Sequence, residues 1–277
     1  MPATTPRTAT IPAGTSAEDL IRVANALADA ARAAILPHFR APGLRADNKK
    51  HGGGYDPVTI ADREAEAAMR AILARARPED AILGEELGAS PGSSGLTWVL
   101  DPIDGTRGFV SGTPTWGVLI AVGGPEGPAL GLIDQPYIGE RFLGGFGAAW
   151  SDGPQGHRPL ATSAVTRLAD ATLFSTFPKV GSRDERAAFE ALSAQVQLTR
   201  FGMDCYAYAL LAAGHVDLVV EAGLQPHDIQ APIALIQAAG GIVTDWQGGP
   251  AHAGGRALAA ATPALHAAAL EILSRAP

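Results

Sequence analysis

The chain has 277 residues, a formal net charge of −7, 47% hydrophobic and 18% charged residues; this balance suits a globular protein with a large core and excludes a nucleic-acid binder working through a basic face. A single cysteine, Cys205, excludes an internal disulfide and fits a reducing compartment. Residues 1–14 lack an apolar secretory core, and no run approaches the roughly 18 apolar residues of a membrane span, so a mobile tail on a cytoplasmic protein is expected.

Taken in chain order, the first helix is expected from Ser16. Ser16 and Asp19 form a cap pair, Leu20, Val23, Leu27 and Ala31 recur at helical spacing, and Pro37 bends or ends the run. A glycine-rich connector, His51-Gly52-Gly53-Gly54, leads to a second helix. Thr59 caps it with Asp62 three residues on, Met69, Ile72, Leu73 and Ala76 share one face, and Pro78 stops it. Short apolar runs at 81–83, 98–100, 116–122, 129–133 and 141–143 then read as strands of a largely antiparallel sheet. Beyond Gly153 strands (171–175, 216–220, 242–244) alternate with helices (183–194, 205–213, 228–239, 264–273). The expected organisation is a tail (1–14), an α+β half (15–152) and an α/β half (153–277).

Three acidic clusters follow predicted strands or open a predicted helix: Gly84-Glu85-Glu86, Asp101-Pro102-Ile103-Asp104-Gly105-Thr106, and His227-Asp228. Each has a plain structural reading. Glu85-Glu86 fits a solvated loop, Asp101 and Asp104 fit turns, and Asp228 fits a helix cap. The hexapeptide is harder to dismiss, because Pro102 and Gly105 bend the chain so that two carboxylates face one point with the Ile103 carbonyl between them. Such an oxygen cage suits Mg²⁺, and the scarcity of His and Cys argues against zinc. Asp62, in the first turn of its helix, can orient a water through the Thr106 hydroxyl. Gly105 and Thr106 can offer amides to a phosphate if a short helix starts there. Together these are the parts of phosphoryl transfer.

The segments Asp56-Pro57-Val58-Thr59-Ile60-Ala61-Asp62, Gly84-Glu85-Glu86, Trp98 through Thr106, and Asp228 through Gly241 resemble the inositol monophosphatase superfamily in order and spacing, over roughly residues 16–275. Arg107-Gly108-Phe109, Pro114-Thr115-Trp116-Gly117, residues 131–136, residues 200–206 and Gly214-His215-Val216-Asp217 are most similar to its histidinol-phosphate phosphatase branch. The resemblance implies an α/β sandwich of alternating layers, a homodimer, and a Mg²⁺-dependent phosphomonoesterase with two or three ions per site. It implies that Glu85, Asp101, the Ile103 carbonyl, Asp104 and Asp228 hold the ions. Asp62 and Thr106 would orient the attacking water, and Asp104 a water that protonates the leaving alkoxide. Many relatives have Trp immediately before the last ligand; here it is His227, expected to line the pocket rather than to hold an ion.

The expected substrate is a small phosphorylated metabolite, histidinol phosphate, with no nucleic acid or membrane partner. Its ammonium and imidazole call for carboxylates not spent on cations, and Glu221, at a strand end, and Asp204 are the candidates, although Asp204 also fits a helix cap. Gly105, Thr106, Arg107 and Arg200, with Glu85, Asp104 and Asp228, complete the expected substrate contacts. Inositol phosphate, a sugar bisphosphate or a 3′-phosphonucleotide remains an alternative within the same chemistry. A catalytically silent binding relative is the alternative of another class, and no expected ligand is missing to support it. Cys205, far along the chain from the acidic clusters and outside any Cys-X₅-Arg pattern, is not expected to form a phosphoenzyme.

Overall fold

A computed structural model describes residues 11–12, 14–49 and 57–276. The His51–Gly54 connector, Asp56 and most of the 1–14 segment lie outside the described residues. The chain opens with α1 (Ala17–Ile35), the short pair β1 (Asp47–Asn48) and β2 (Pro57–Val58), and α2 (Ile60–Ala76). Both helix starts are where the cap residues place them. The Ser16 hydroxyl accepts the Asp19 amide, and Thr59 and Asp62 close a reciprocal capping box.

Next come β3 (Ala81–Gly84), β4 (Gly88–Ser90), β5 (Thr97–Asp104), α3 (Thr106–Ser111), β6 (Gly117–Gly124), β7 (Gly127–Gln135), β8 (Glu140–Gly145), β9 (Ala148–Asp152) and β10 (Arg158–Pro159). Their eight strands form one sheet in the order β10-β9-β8-β7-β6-β5-β3-β4, antiparallel except for β3 beside β5. The second sheet uses β11 (Thr172–Ser175), β12 (Leu198–Phe201), β13 (Leu218–Leu224), β14 (Ile242–Thr244) and β15 (Gly255–Ala260), in the order β12-β11-β13-β15-β14. Among them run α4 (Arg183–Ser193), α5 (Tyr206–Ala212) and α6 (Pro226–Ala238), and α7 (Pro263–Leu273) follows.

The layers are an α/β sandwich: α1 and α2, the large sheet, α5 and α6, the small sheet, then α4 and α7. Strand β6 shows why. Val118, Ile120 and Val122 join the core under α1 and α2, whereas Leu119 and Ala121 join the core shared with α5 and α6. A strand covered on both faces therefore reads as a continuous apolar run. Helix α6 lies unusually close to the large sheet. A Cβ on Gly131 would stand 2.1 Å from the Ala231 carbonyl oxygen, and one on Gly144 2.6 Å from Leu235 Cα. Among the described residues no helix is long and apolar enough to cross a membrane.

Three expectations are corrected in detail. The strand expected at 98–100 continues into the acidic hexapeptide as far as Asp104, as β5, with a register shift between Asp101 and Asp104 that accommodates Pro102 at a bulge. Glu221 lies inside β13 rather than at a strand end. Asp204 does not cap α5, whose cap position is Cys205.

Candidate active site

The bulged end of β5, the turn after β3 and the start of α6 bring the acidic clusters together. Oxygens of Asp101, Asp104 and Asp228 all lie within 4.8 Å of one another, and so do ligand atoms of Glu85, Asp101 and His227. Asp101 is common to both groups.

Most of these carboxylates commit one oxygen to a local tether. Asp101 Oδ1 accepts the Ile103 amide at 3.0 Å. Asp104 Oδ2 accepts the Cys205 amide at 2.6 Å. Asp228 Oδ2 accepts the Gln225 amide at 2.7 Å, so the capping role and a place in the cluster are held by one side chain. Asp62 Oδ2 accepts the Thr59 amide at 2.8 Å and the Thr59 hydroxyl at 2.6 Å. Glu85 Oε1 is held by Lys49 Nζ at 3.0 Å, whereas Glu85 Oε2 is buried without a hydrogen-bond partner among the described residues. The tethers fix side-chain orientation and leave a second oxygen of each residue for a ligand.

The electrostatics fit an ion. Burial, followed by the charges of Glu85, Asp104 and Asp228, pushes the Asp101 carboxyl far up. Burial, then Asp204 and Asp228, does the same to Asp104 against the Cys205 hydrogen bonds. Burial also raises Asp228. Carboxylates this close repel unless a cation or protons neutralise them, and a hard oxygen donor set with an unpartnered buried oxygen suits Mg²⁺. The Ile103 carbonyl accepts the Thr106 hydroxyl at 3.0 Å and retains a second lone pair.

Beside the cluster stands the expected hydroxyl–carboxylate pair: Thr106 Oγ1 is 3.4 Å from Asp62 Oδ1. Burial raises the Asp62 carboxyl, partly offset by its bonds from Thr59. Thr106 opens α3, and Gly105 before it has φ +81°, a backbone that favours glycine; a Cβ there would meet Asp204 at 2.8 Å. The Asp204 carboxyl, hydrogen-bonded to Thr115 and within the field of Arg107, is pushed up to about 6 by burial. Glu221 accepts the Thr176 amide at 2.5 Å and faces the Ser175 hydroxyl at 3.4 Å, and burial pushes it up to about 7. Arg200 is exposed on the edge strand β12, and no hydrogen bond or ion pair among the described residues ties it to the cluster.

Cys205 is distant in sequence yet adjacent in space, its amide on Asp104. Burial and the neighbouring anions push its thiol far up, which keeps it protonated and non-nucleophilic. The sequence reading missed Lys49, which also reaches Glu86 Oε1 at 2.5 Å, and Tyr208, whose buried hydroxyl lacks a partner among the described residues and lies in the field of Glu221, Asp104 and Asp228. Lys49 left a faint signal as a lysine beside the glycine-rich connector. Tyr208 left only one of the two phenols, with Tyr206, in an otherwise apolar helix.

The family model of the inositol monophosphatase family matches residues 16–277. The chain is 42% identical to the bifunctional phosphatase IMPL2, chloroplastic, of Arabidopsis thaliana over 82% of its own length, and that match spans 64% of the relative. It is 38% identical to a histidinol-phosphatase of Mycobacterium tuberculosis, covering 87% of this chain and 93% of that one. An inositol monophosphatase structure from Zymomonas mobilis superposes with a TM-score of 0.82 at 40% identity, covering 94% of this chain and 100% of that one. With sequence match, fold and the convergence of acidic clusters in agreement, the chain belongs to the inositol monophosphatase family.

Proposed function

We propose that this phosphatase hydrolyses L-histidinol phosphate to L-histidinol and phosphate. The observation that carries this reading is the pair Glu221 and Asp204, two carboxylates that belong to neither group of close ligand atoms: Asp204 is half-buried beside Asp104, and Glu221 is buried within the field of Asp204. They supply negative charge for a substrate bearing an ammonium and an imidazole. Identity does not separate the substrates, since the relatives named for histidinol phosphate and for inositol phosphate stand at 38% and 40%.

In the proposed mechanism Glu85, Asp101, Asp104, Asp228 and the Ile103 carbonyl would hold Mg²⁺. When bound, Mg²⁺ supplies Lewis-acid stabilisation of phosphoryl charge and acidifies water. Thr106 donates its hydroxyl hydrogen toward the Ile103 carbonyl or Asp62, which leaves its oxygen to accept a hydrogen bond from the attacking water. Asp62, made more basic by burial, receives that proton through the hydroxyl. The water oxygen forms the new bond to phosphorus as the ester P–O bond breaks. Asp104 orients the water that protonates the departing alkoxide. The amides of Gly105 and Thr106 and the charge of Arg107 serve the phosphate oxygens.

A phosphate-release panel with Mg²⁺ tests the substrate, comparing histidinol phosphate, inositol 1-phosphate, fructose 1,6-bisphosphate and 3′-phosphoadenosine 5′-phosphate. Histidinol phosphate should show the highest kcat/KM. Equal or better turnover of inositol 1-phosphate would overturn the assignment and favour Glu221 as an acceptor for a sugar hydroxyl.

A further inference from the structure

The two groups of close ligand atoms differ in chemistry. Asp101, Asp104 and Asp228 offer only oxygen, whereas Glu85, Asp101 and His227 offer two oxygens and a ring nitrogen. We infer that His227 is a nitrogen ligand on the Glu85–Asp101 side of the cation cluster, and that this position, which can also hold Mg²⁺ through its oxygens, prefers a transition metal such as Zn²⁺, whereas the all-oxygen position favours Mg²⁺.

Geometry is the first argument. Ligand atoms around one ion at about 2.0–2.2 Å lie roughly 3–4.4 Å apart. The Glu85, Asp101 and His227 atoms, within 4.8 Å of one another, need only small side-chain rotations to share an ion.

The second argument is the state of each donor. Glu85 Oε1 accepts from Lys49, but its Oε2 is buried with no partner among the described residues. His227 is mostly buried at the start of α6, and its Nε2 stands 3.4 Å from Asp228 Oδ1. That is longer than the roughly 2.7–2.9 Å of a strong charge-assisted hydrogen bond, so the ring is not locked onto its neighbour. The backbone of α6, seated on Gly131 and Gly144, fixes where the imidazole stands.

The third argument is selectivity. Imidazole with carboxylates is a Zn²⁺ donor set, and an N/O site binds Zn²⁺ or Co²⁺ ahead of Mn²⁺, whereas Mg²⁺ takes oxygen. Sharing Asp101 between the two groups would set the two ions side by side. The inference rests on the cation chemistry of the family and is independent of which phosphate ester is the substrate.

The test is a Zn²⁺ titration of the metal-stripped full chain labelled with ¹⁵N-histidine, read by NMR, with Zn²⁺ affinity measured against a chromophoric chelator. One of the seven histidines should shift stoichiometrically, and the shift should vanish in His227→Gln. Zn²⁺ affinity should fall at least tenfold in that variant, while Mg²⁺ affinity changes less than twofold. The wild-type spectrum stands as a test whether or not the variant folds. Absence of any stoichiometric histidine shift, its persistence in His227→Gln, or an equal loss of Mg²⁺ affinity would overturn the inference. A preference for another phosphate ester would overturn the substrate assignment and leave this reading untouched.

Discussion

Asp101 and Glu221 are both buried acids, and the structure predicts that removing each charge acts on a different kinetic constant. Asp101 sits in both groups of close ligand atoms, so Asp101→Asn should lower kcat by several orders of magnitude. Because it also removes a repelled buried anion, the metal-free variant should melt no lower than wild type. Phosphate release and a thermal melt check the two halves of that statement. Glu221 instead keeps two local hydrogen-bond partners that an amide can also satisfy. Its folded carboxyl, raised by burial to about 7 from 4.5, holds a proton that the unfolded chain releases, so this group's stabilising contribution falls as pH rises from about 4.5 to 7. Glu221→Gln should therefore raise Tm at pH 8 by a few degrees. The same change should raise KM for histidinol phosphate at least tenfold with a smaller effect on kcat. In the wild type that KM should fall as pH rises through about 7, where Glu221 ionises. A flat KM between pH 6 and 8 contradicts the pocket role.

At the scale of elements, α6 carries His227 and Asp228 to β5 because two glycines let its backbone approach the sheet. Gly131→Ala places a methyl 2.1 Å from the Ala231 carbonyl oxygen. It should cost about 1–3 kcal/mol of stability as the helix backs away. Cation affinity should fall with it, since Asp228 is displaced from Asp101 and Asp104; denaturant melts and Mg²⁺ titration measure both. Helix starts were legible in the sequence because Ser16 and Thr59 are local devices whose partners lie three residues away. The acidic residues of the cluster were legible for a different reason, as carboxylates grouped after apolar runs. What escaped depended on distant partners. Strand β15, Gly-Arg-Ala-Leu-Ala-Ala, has little β-branched or aromatic character and is a strand because β13 and β14 flank it. Pro102 read as a turn because a bulge is invisible until the neighbouring strand is known. Lys49 and Cys205 meet the carboxylates across 36 and 101 residues, a separation that spacing alone cannot bridge.

For the whole molecule, the cluster joins two sheets through the helices between them, so a cation bound there ties several parts of the sandwich together. A ligand that binds only the folded state at a hundred times its Kd adds about 2.7 kcal/mol. Millimolar Mg²⁺ should thus raise the melting temperature by several degrees, and a chelator should reverse it; an unchanged melt would deny the cluster its cation. The single thiol offers a second reading of the same coupling. Cys205 is sealed in the core between the sheets, its amide and its thiol both hydrogen-bonded to Asp104. An aqueous disulfide reagent can label it only when α5 parts from the large sheet. Its labelling half-time is therefore an internal clock for breathing of the sandwich, readable without added probes, and Mg²⁺ should make that clock run slower.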